Sequence, residues 1–318
     1  MLFGKLTFDM EHIRTLEEFP RGRTFLTVGT FDGVHRGHQV LLTALAQAAH
    51  QSGAQSAVVT FFPHPAVVLR GLPQPYYLTS PEERARLMGA CGIDVVLTLP
   101  FTRELAALSA REFVEMLREK AGMESLWVGY DFALGHNREG NVTVLQRLGE
   151  ELGFSVHVLP PVALDDTPVS SSLIRSALEK GDVVTAARML GRPYAIEGAV
   201  VHGDARGRTL NIPTINVAFW AEQRLPAFGV YACRVEVEGR ALDAVANIGV
   251  RPTFENPTGE VRLEAHLLDF FGNLYGKTVR LQFLAFLRPE RRFESVEALV
   301  AQIQQDIQHA REVLTHAA

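Results

Sequence analysis

The chain has 318 residues, 47% of them hydrophobic and 21% charged, with a formal net charge of −5. That length exceeds what one hydrophobic core commonly serves, so two domains are expected. The charges are interspersed, which argues against a nucleic-acid-binding face of clustered Lys and Arg, and no apolar run reaches the roughly 18 residues of a membrane span. Binding of an anionic nucleotide by loop amides and a few cations stays open. Cys91 and Cys233 have no Cys or His partner at ligand spacing and read as buried small hydrophobes in a reducing compartment. The first ten residues carry Asp9 and no long apolar h-region. A cytoplasmic protein is expected.

In chain order, Phe25–Gly29 reads as a short apolar strand and Gly37–Gln51 as a helix with Val40, Leu41, Ala44, Leu45 and Ala48 on one face. Gln55–Phe62 is a second strand. Ser80-Pro81-Glu82-Glu83 opens a helix, and Ser109 with Glu112 repeats the capping pattern before Phe113–Lys120. Ile93–Leu99, Leu126–Gly129 and Ser155–Leu159 continue the strands, with a helix near Val142–Leu152 between the last two. Alternating apolar strands and helices predict a Rossmann-like α/β domain with a parallel sheet over about residues 1–186.

From Tyr194 the pattern changes. Ala199–Val201, Gly229–Glu238, Ala241–Val245, Val261–Leu268 and Val279–Phe286 read as strands with turn-rich joins, including a hairpin at Gly239. Five or six strands without intervening helices predict a small antiparallel β-barrel over 187–318. A long amphipathic helix from Ser295 closes the chain, with Val296, Leu299, Val300, Ile303, Ile307, Ala310 and Leu314 as its apolar stripe.

The most informative segment is Val28-Gly29-Thr30-Phe31-Asp32-Gly33-Val34-His35-Arg36-Gly37-His38. A strand ends at Gly29, glycines allow backbone to approach a phosphate chain, and the following helix offers free N–H donors. His35 and His38, three apart, can face one pocket and donate to a phosphate as charge moves. A metal pair or two surface histidines are the competing readings, and the Gly-x-Gly-x-x-Gly dinucleotide spacing is absent. Ser171, Ser172 and Arg175 suit an anionic group at a helix start, or an ordinary serine cap.

These segments resemble the nucleotidyltransferase superfamily with its His-x-x-His motif, and within it the FMN adenylyltransferase module. The carriers are Gly29 to His38, Thr60-Phe-Phe-Pro-His-Pro65, Val128-Gly-Tyr-Asp-Phe132 and Ser170 to Arg175. The resemblance implies attack of the FMN phosphate on the α-phosphorus of ATP, giving FAD and pyrophosphate. It implies ATP contacts from Gly29, Thr30, Phe31, Asp32, Gly33, Ser171, Ser172 and Arg175, and flavin or nucleotide contacts from Phe62, His64, Asp131 and Phe132. Leu134 stands where that module usually has Phe.

In the second half, Gly203 and Gly207 are placed to let a loop wrap a triphosphate, and Pro213-Thr-Ile-Asn216 brings two neutral oxygen ligands, Thr214 and Asn216, that suit Mg²⁺ held jointly with ATP. Read alone, the tetrapeptide is a turn followed by a strand. With Val245 to Phe254, Arg262 to Asp269, Asp269 to Gly276 and Leu287 to Phe293, the run resembles the riboflavin kinase family. That resemblance implies a six-stranded barrel that phosphorylates riboflavin from ATP. Thr214 and Asn216 would be metal ligands beside Pro213, Glu264 the general base, and Asn247, Arg288 and Asp306 flavin neighbours. Asn211 replaces the usual Gly before Pro-Thr. By pattern alone Glu264 and His266 share the strand face opposite Val261, Leu263, Ala265 and Leu267, a solvated surface pair unless the kinase reading holds. Three rivals stay open: one inactive module, a flavin- or nucleotide-binding regulator without chemistry, or a cytidylyl- or pantetheine-type transferase. Oligomeric state is not legible.

Overall fold

The computed structural model describes residues 10–203, 212–251 and 259–316. It divides into two compact units, Met1–Ser171 and Ser172–Ala318. The change of sequence pattern at 186/187 lies later than this division, and helix Val183–Leu190 runs across it.

The first unit holds strands β1 (Glu11–Ile13), β2 (Thr24–Val28), β3 (Gln55–Phe62), β4 (Val95–Pro100), β5 (Met123–Gly129) and β6 (Ser155–Leu159). They form one sheet in the order β1-β4-β3-β2-β5-β6, with every pair parallel. Its helices are α1 (Arg36–Gln51), α2 (Pro65–Arg70), α3 (Pro81–Gly89), α4 (Arg103–Ala107), α5 (Ala110–Ala121) and α6 (Val142–Leu152). Along β3, Ala57, Val59 and Phe61 enter the core shared with Phe113 and Leu117 of α5 and Leu145 of α6. Val58 enters the opposite core with Leu42 and Leu45 of α1 and Met88 of α3. Both sheet faces are therefore covered, which is why these strands read as continuous apolar runs. The chain steps outward from β2 through β3 to β4, then returns to β2's other side with β5. A crevice at the carboxyl end of β2 is the usual ligand position of such a sheet.

The expected face of α1 is rotated by about one residue. Val40 is 49% exposed, and Leu41, Leu42, Leu45, Ala46 and Ala49 are the buried positions. Both predicted caps form: Ser80 accepts from Glu83 N–H, and Ser109 with Glu112 makes a reciprocal capping box. Cys91 is only partly buried, whereas Cys233 is fully so and burial pushes its thiol pKa up. Leu134 is 8% exposed and belongs to the apolar core, so its departure from the family pattern is accommodated there as packing.

Helix α7 (Ser171–Glu179) starts at the last residue of the first unit and runs into the second, where α8 (Val183–Leu190) follows. Because α7 starts at Ser171, Ser172 lies in its first turn and Arg175 inside it. Strands β7 (Tyr194–Val201), β8 (Ile215–Phe219), β9 (Gly229–Val237), β10 (Arg240–Arg251), β11 (Glu260–Leu267) and β12 (Thr278–Arg288) close a barrel in the order β7-β8-β11-β10-β9-β12. Every adjacent pair is antiparallel. The predicted hairpin joins β9 to β10, with Glu238 and Gly239 both at positive φ, as a two-residue turn between twisted strands requires. Tyr231, Cys233, Val235, Ala244, Ala246, Leu263, Ala265 and Phe283 are fully or almost fully buried. Helix α9 (Val296–His316) packs Ala310 and Leu314 against Val230, Ala232 and Val245. Val296, expected in the apolar stripe, is 56% exposed. Among the described residues no helix is long and apolar enough to cross a membrane.

Candidate active sites

In the first unit the chemistry-bearing segment leaves β2 at Gly29, where a Cβ would press within 2.9 Å of the Phe31 ring. Phe31, Gly33 and Val34 then all adopt positive φ, a costly choice for Phe and more so for β-branched Val. Such strain persists only where surroundings over-determine it, and it clusters at functional loops. Here the surroundings are specific. The wholly buried Asp32 carboxylate accepts from Leu78 N–H at 3.0 Å and Thr79 N–H at 3.2 Å, while Gly33 N–H donates to Thr79 Oγ1. Ser171 Oγ donates to the Asp32 carbonyl at 2.8 Å. The Thr30 carbonyl accepts from Thr60 Oγ1 at 3.1 Å and from Arg84 Nη1 at 2.6 Å. Carbonyl and N–H point oppositely across a trans peptide. Phe31 N–H is therefore turned away from Arg84, and it has no hydrogen-bond partner among the described residues.

His35 caps α1 by accepting the His38 backbone N–H on Nδ1, so a proton on a neutral His35 ring sits on Nε2. The two imidazoles stack with centroids 3.6 Å apart, and Phe31 meets His38 edge-on at 4.9 Å. Burial, then His35, then Arg84 hold the His38 pKa well below the ordinary histidine value. His38 is therefore neutral at neutral pH and suited to donate from one ring nitrogen. Among the described residues no three His, Cys, Asp or Glu side chains group to hold a metal.

The expected flavin contacts of this unit take separate positions. His64 caps α2 through Ala66 N–H and lies edge-on to Tyr76. Phe62 is tilted against Tyr77 at 5.5 Å. Phe132 packs on the apolar core, and Asp131 is exposed. Ser172 is exposed on α7 and Arg175 is 9% exposed. Sequence reasoning missed Arg84, although it shares a helical face with Pro81, Ala85 and Met88, all buried. An arginine on an apolar stripe is the signal that could have found it.

In the barrel, strand register assembles the candidates. Asn216 of β8 pairs with Glu264 of β11, which pairs with Asn247 of β10, which pairs with Val230 of β9, which pairs with Arg288 of β12. Directly paired residues share a face, so these five form one row. Leu263, Ala265 and Leu267 point inward, leaving Glu264 half-buried on the outer face with Asn216 and Asn247 beside it. Gly203 approaches so closely that a Cβ there would collide with the Asn216 amide. Thr214 stands just before β8, and the Pro213 carbonyl accepts from His266 Nδ1–H at 2.8 Å. The side chains of Thr214 and Asn216 have no hydrogen-bond partner among the described residues, so their oxygens fit a hard divalent cation. Gly207 and Asn211 lie outside the described residues. At the row's end Arg288 grips Asp306 of α9 bidentately, Nε to Oδ1 at 2.9 Å and Nη2 to Oδ2 at 2.8 Å. Asp306 also accepts from Gln302, and Asn247 reaches Glu290 at 3.4 Å.

A parallel α/β unit with a strained, amide-rich loop after its central strand, followed by a closed barrel with a carboxylate–amide row, defines a two-module enzyme class. Residues 19–173 match the FAD synthetase family model, and residues 190–314 match the riboflavin kinase model. Among curated relatives, the bifunctional riboflavin kinase/FMN adenylyltransferase of Pseudomonas fluorescens is 43% identical over 90% of this chain and 91% of its own. The same-named protein of Escherichia coli K12 is 39% identical over 94% and 96%, and that of Listeria monocytogenes 35% over 96% and 97%. A solved structure described as a macrolide-efflux protein from Streptococcus pneumoniae superposes with a TM-score of 0.86 at 31% identity, covering 95% of this chain and 98% of that one. The chain belongs to the bifunctional riboflavin kinase/FMN adenylyltransferase family.

Proposed function

We propose that this chain phosphorylates riboflavin to FMN and adenylylates FMN to FAD, each reaction on its own module, 1–186 for adenylyl transfer and 187–318 for phosphoryl transfer. The observation that carries this reading is the partition of the candidate residues: every adenylyl candidate lies at or before Arg175, and every kinase candidate at or after Gly203. In the kinase reaction Glu264 takes the proton of the ribityl 5′-hydroxyl as the hydroxyl oxygen bonds to the γ-phosphorus of ATP, the bond from that phosphorus to the β,γ-bridging oxygen breaks and ADP leaves. Asn216 and Asn247 hold the carboxylate's neighbourhood, and Thr214 with Asn216 are the residues that would hold Mg²⁺. The cation, when bound, supplies charge neutralisation on the transferring phosphates.

In the adenylyl reaction the FMN phosphate is already an anion and needs no base. Its oxygen bonds to the α-phosphorus of ATP as pyrophosphate leaves. His35 and His38 donate to phosphate oxygens as charge shifts, and the loop through Gly29, Thr30, Phe31, Asp32 and Gly33 positions the nucleotide. Incubation with riboflavin, ATP and Mg²⁺ followed by chromatographic separation of flavins tests the reading. FMN should appear first and FAD after it. FMN alone, or no conversion of riboflavin, overturns the two-reaction reading.

A further inference from the structure

Arg84 heads the largest side chains wholly removed from solvent among the described residues. Its Nη1 donates to the Thr30 carbonyl at 2.6 Å and lies 3.4 Å from both Thr60 Oγ1 and the Phe61 carbonyl. Its Nε and Nη2 are buried with no hydrogen-bond partner, and it makes no ion pair within 4.0 Å among the described residues. A guanidinium so incompletely satisfied is costly to bury, and an apolar side chain of similar length would commonly pack the same helix face at no loss of stability. Stability of α3 therefore does not account for a charge at this position. What the charge touches is the strained loop.

We propose that Arg84 is a positioning residue for adenylyl transfer, locking the Thr30 carbonyl inward and setting a fixed positive charge behind the Gly29–His38 loop. This rests on reading that loop as the site of adenylyl transfer. Two consequences follow from the geometry. With the Thr30 carbonyl pinned by Arg84 and Thr60, the peptide that presents Phe31 N–H to the opposite side cannot rotate, and the positive-φ run that follows starts from a fixed plane. The buried charge also adds to burial and His35 in disfavouring a proton on His38, so the ring meets the phosphates as a neutral donor.

The test compares R84M, R84K and H38A in the full chain, measuring FAD formation from FMN across ATP concentrations, kinase activity, thermal midpoint and the His38 imidazole titration by NMR. R84M is expected to lower kcat/KM for ATP about 10- to 100-fold, the usual range for a residue that orients a catalytic neighbour. Its thermal midpoint should equal or exceed the parent's, its His38 should titrate at higher pH, and its kinase activity should be unchanged. R84K should recover most of the FAD activity and the low His38 titration. Parental FAD formation by R84M while H38A has lost it overturns the role of Arg84. Parental FAD formation by H38A as well overturns the reading of the loop beneath it. Equal loss of activity and midpoint in R84M and R84K, with His38 unmoved, makes Arg84 a structural residue and overturns the proposal. If R84M does not fold, R84Q carries the same expectations, and insolubility of both overturns it too.

Discussion

In the α/β unit Asp32, His35 and Arg84 are buried, and Asp32 is tied to residues 46 and 139 positions away in sequence. In the barrel Asn216, Glu264 and Asn247 are half-buried, and strand pairing alone aligns them. The first centre holds its shape by many individual bonds to a strained loop, the second by the regularity of a sheet. A single substitution should thus spread further in the first than in the second. A carboxylate on the outer barrel face can lose its chemistry without disturbing the residues behind it.

Glu264→Gln gives the largest expected effect. It should lower FMN formation by about 10²–10⁴-fold, the typical contribution of a general base, while FAD formation from supplied FMN and the thermal midpoint stay at parental values. Parallel assays of the two reactions on one preparation check this, and loss of both in a folded protein would break the independence of the two centres. His38→Ala should lower FAD formation by about 10²–10³-fold, the usual loss for one transition-state donor, with riboflavin phosphorylation intact. Because the His38 pKa is depressed in the folded chain, the unfolded chain binds more protons as pH falls below about 6.5, so that residue withdraws stability on acidification. The variant should therefore show a shallower fall of thermal midpoint there. Asp306→Asn should cost about 2 kcal/mol in denaturant unfolding, less than the 3–5 kcal/mol of a fully buried broken pair because Arg288 remains partly solvated. FAD formation from FMN should be unaffected, which sharpens the contrast between a bond that supports the barrel and one that shapes the loop.

The alternation of strands and helices and the turn-rich second half are legible in the sequence because each element carries its own period and caps. Gln55–Phe62 and Val142–Leu152 are read to the residue. The Gly29–His38 loop is legible because all its signals are contiguous. The face of α1 is not, since Val40 and Leu41 are both apolar and only the packing against β3 chooses between adjacent stripes. Arg84 is hidden by the opposite problem: its meaning depends on Thr30, more than fifty positions earlier. Glu264 is legible as a candidate but not as a site, because the partners that define it, Asn216 and Asn247, arrive from strands on either side.

The barrel row carries one more implication, because a strand is read in steps of two. Slipping β11 by a single position would turn Glu264 into the interior and present Leu263 or Ala265 in its place, ruining core and carboxylate together. A two-position slip would keep the faces but carry the carboxylate about 7 Å along the strand, out of line with Asn216 and Asn247. The strands therefore behave like a reading frame. In this barrel a one-position frameshift in space would displace the proposed base at the same stroke as the core.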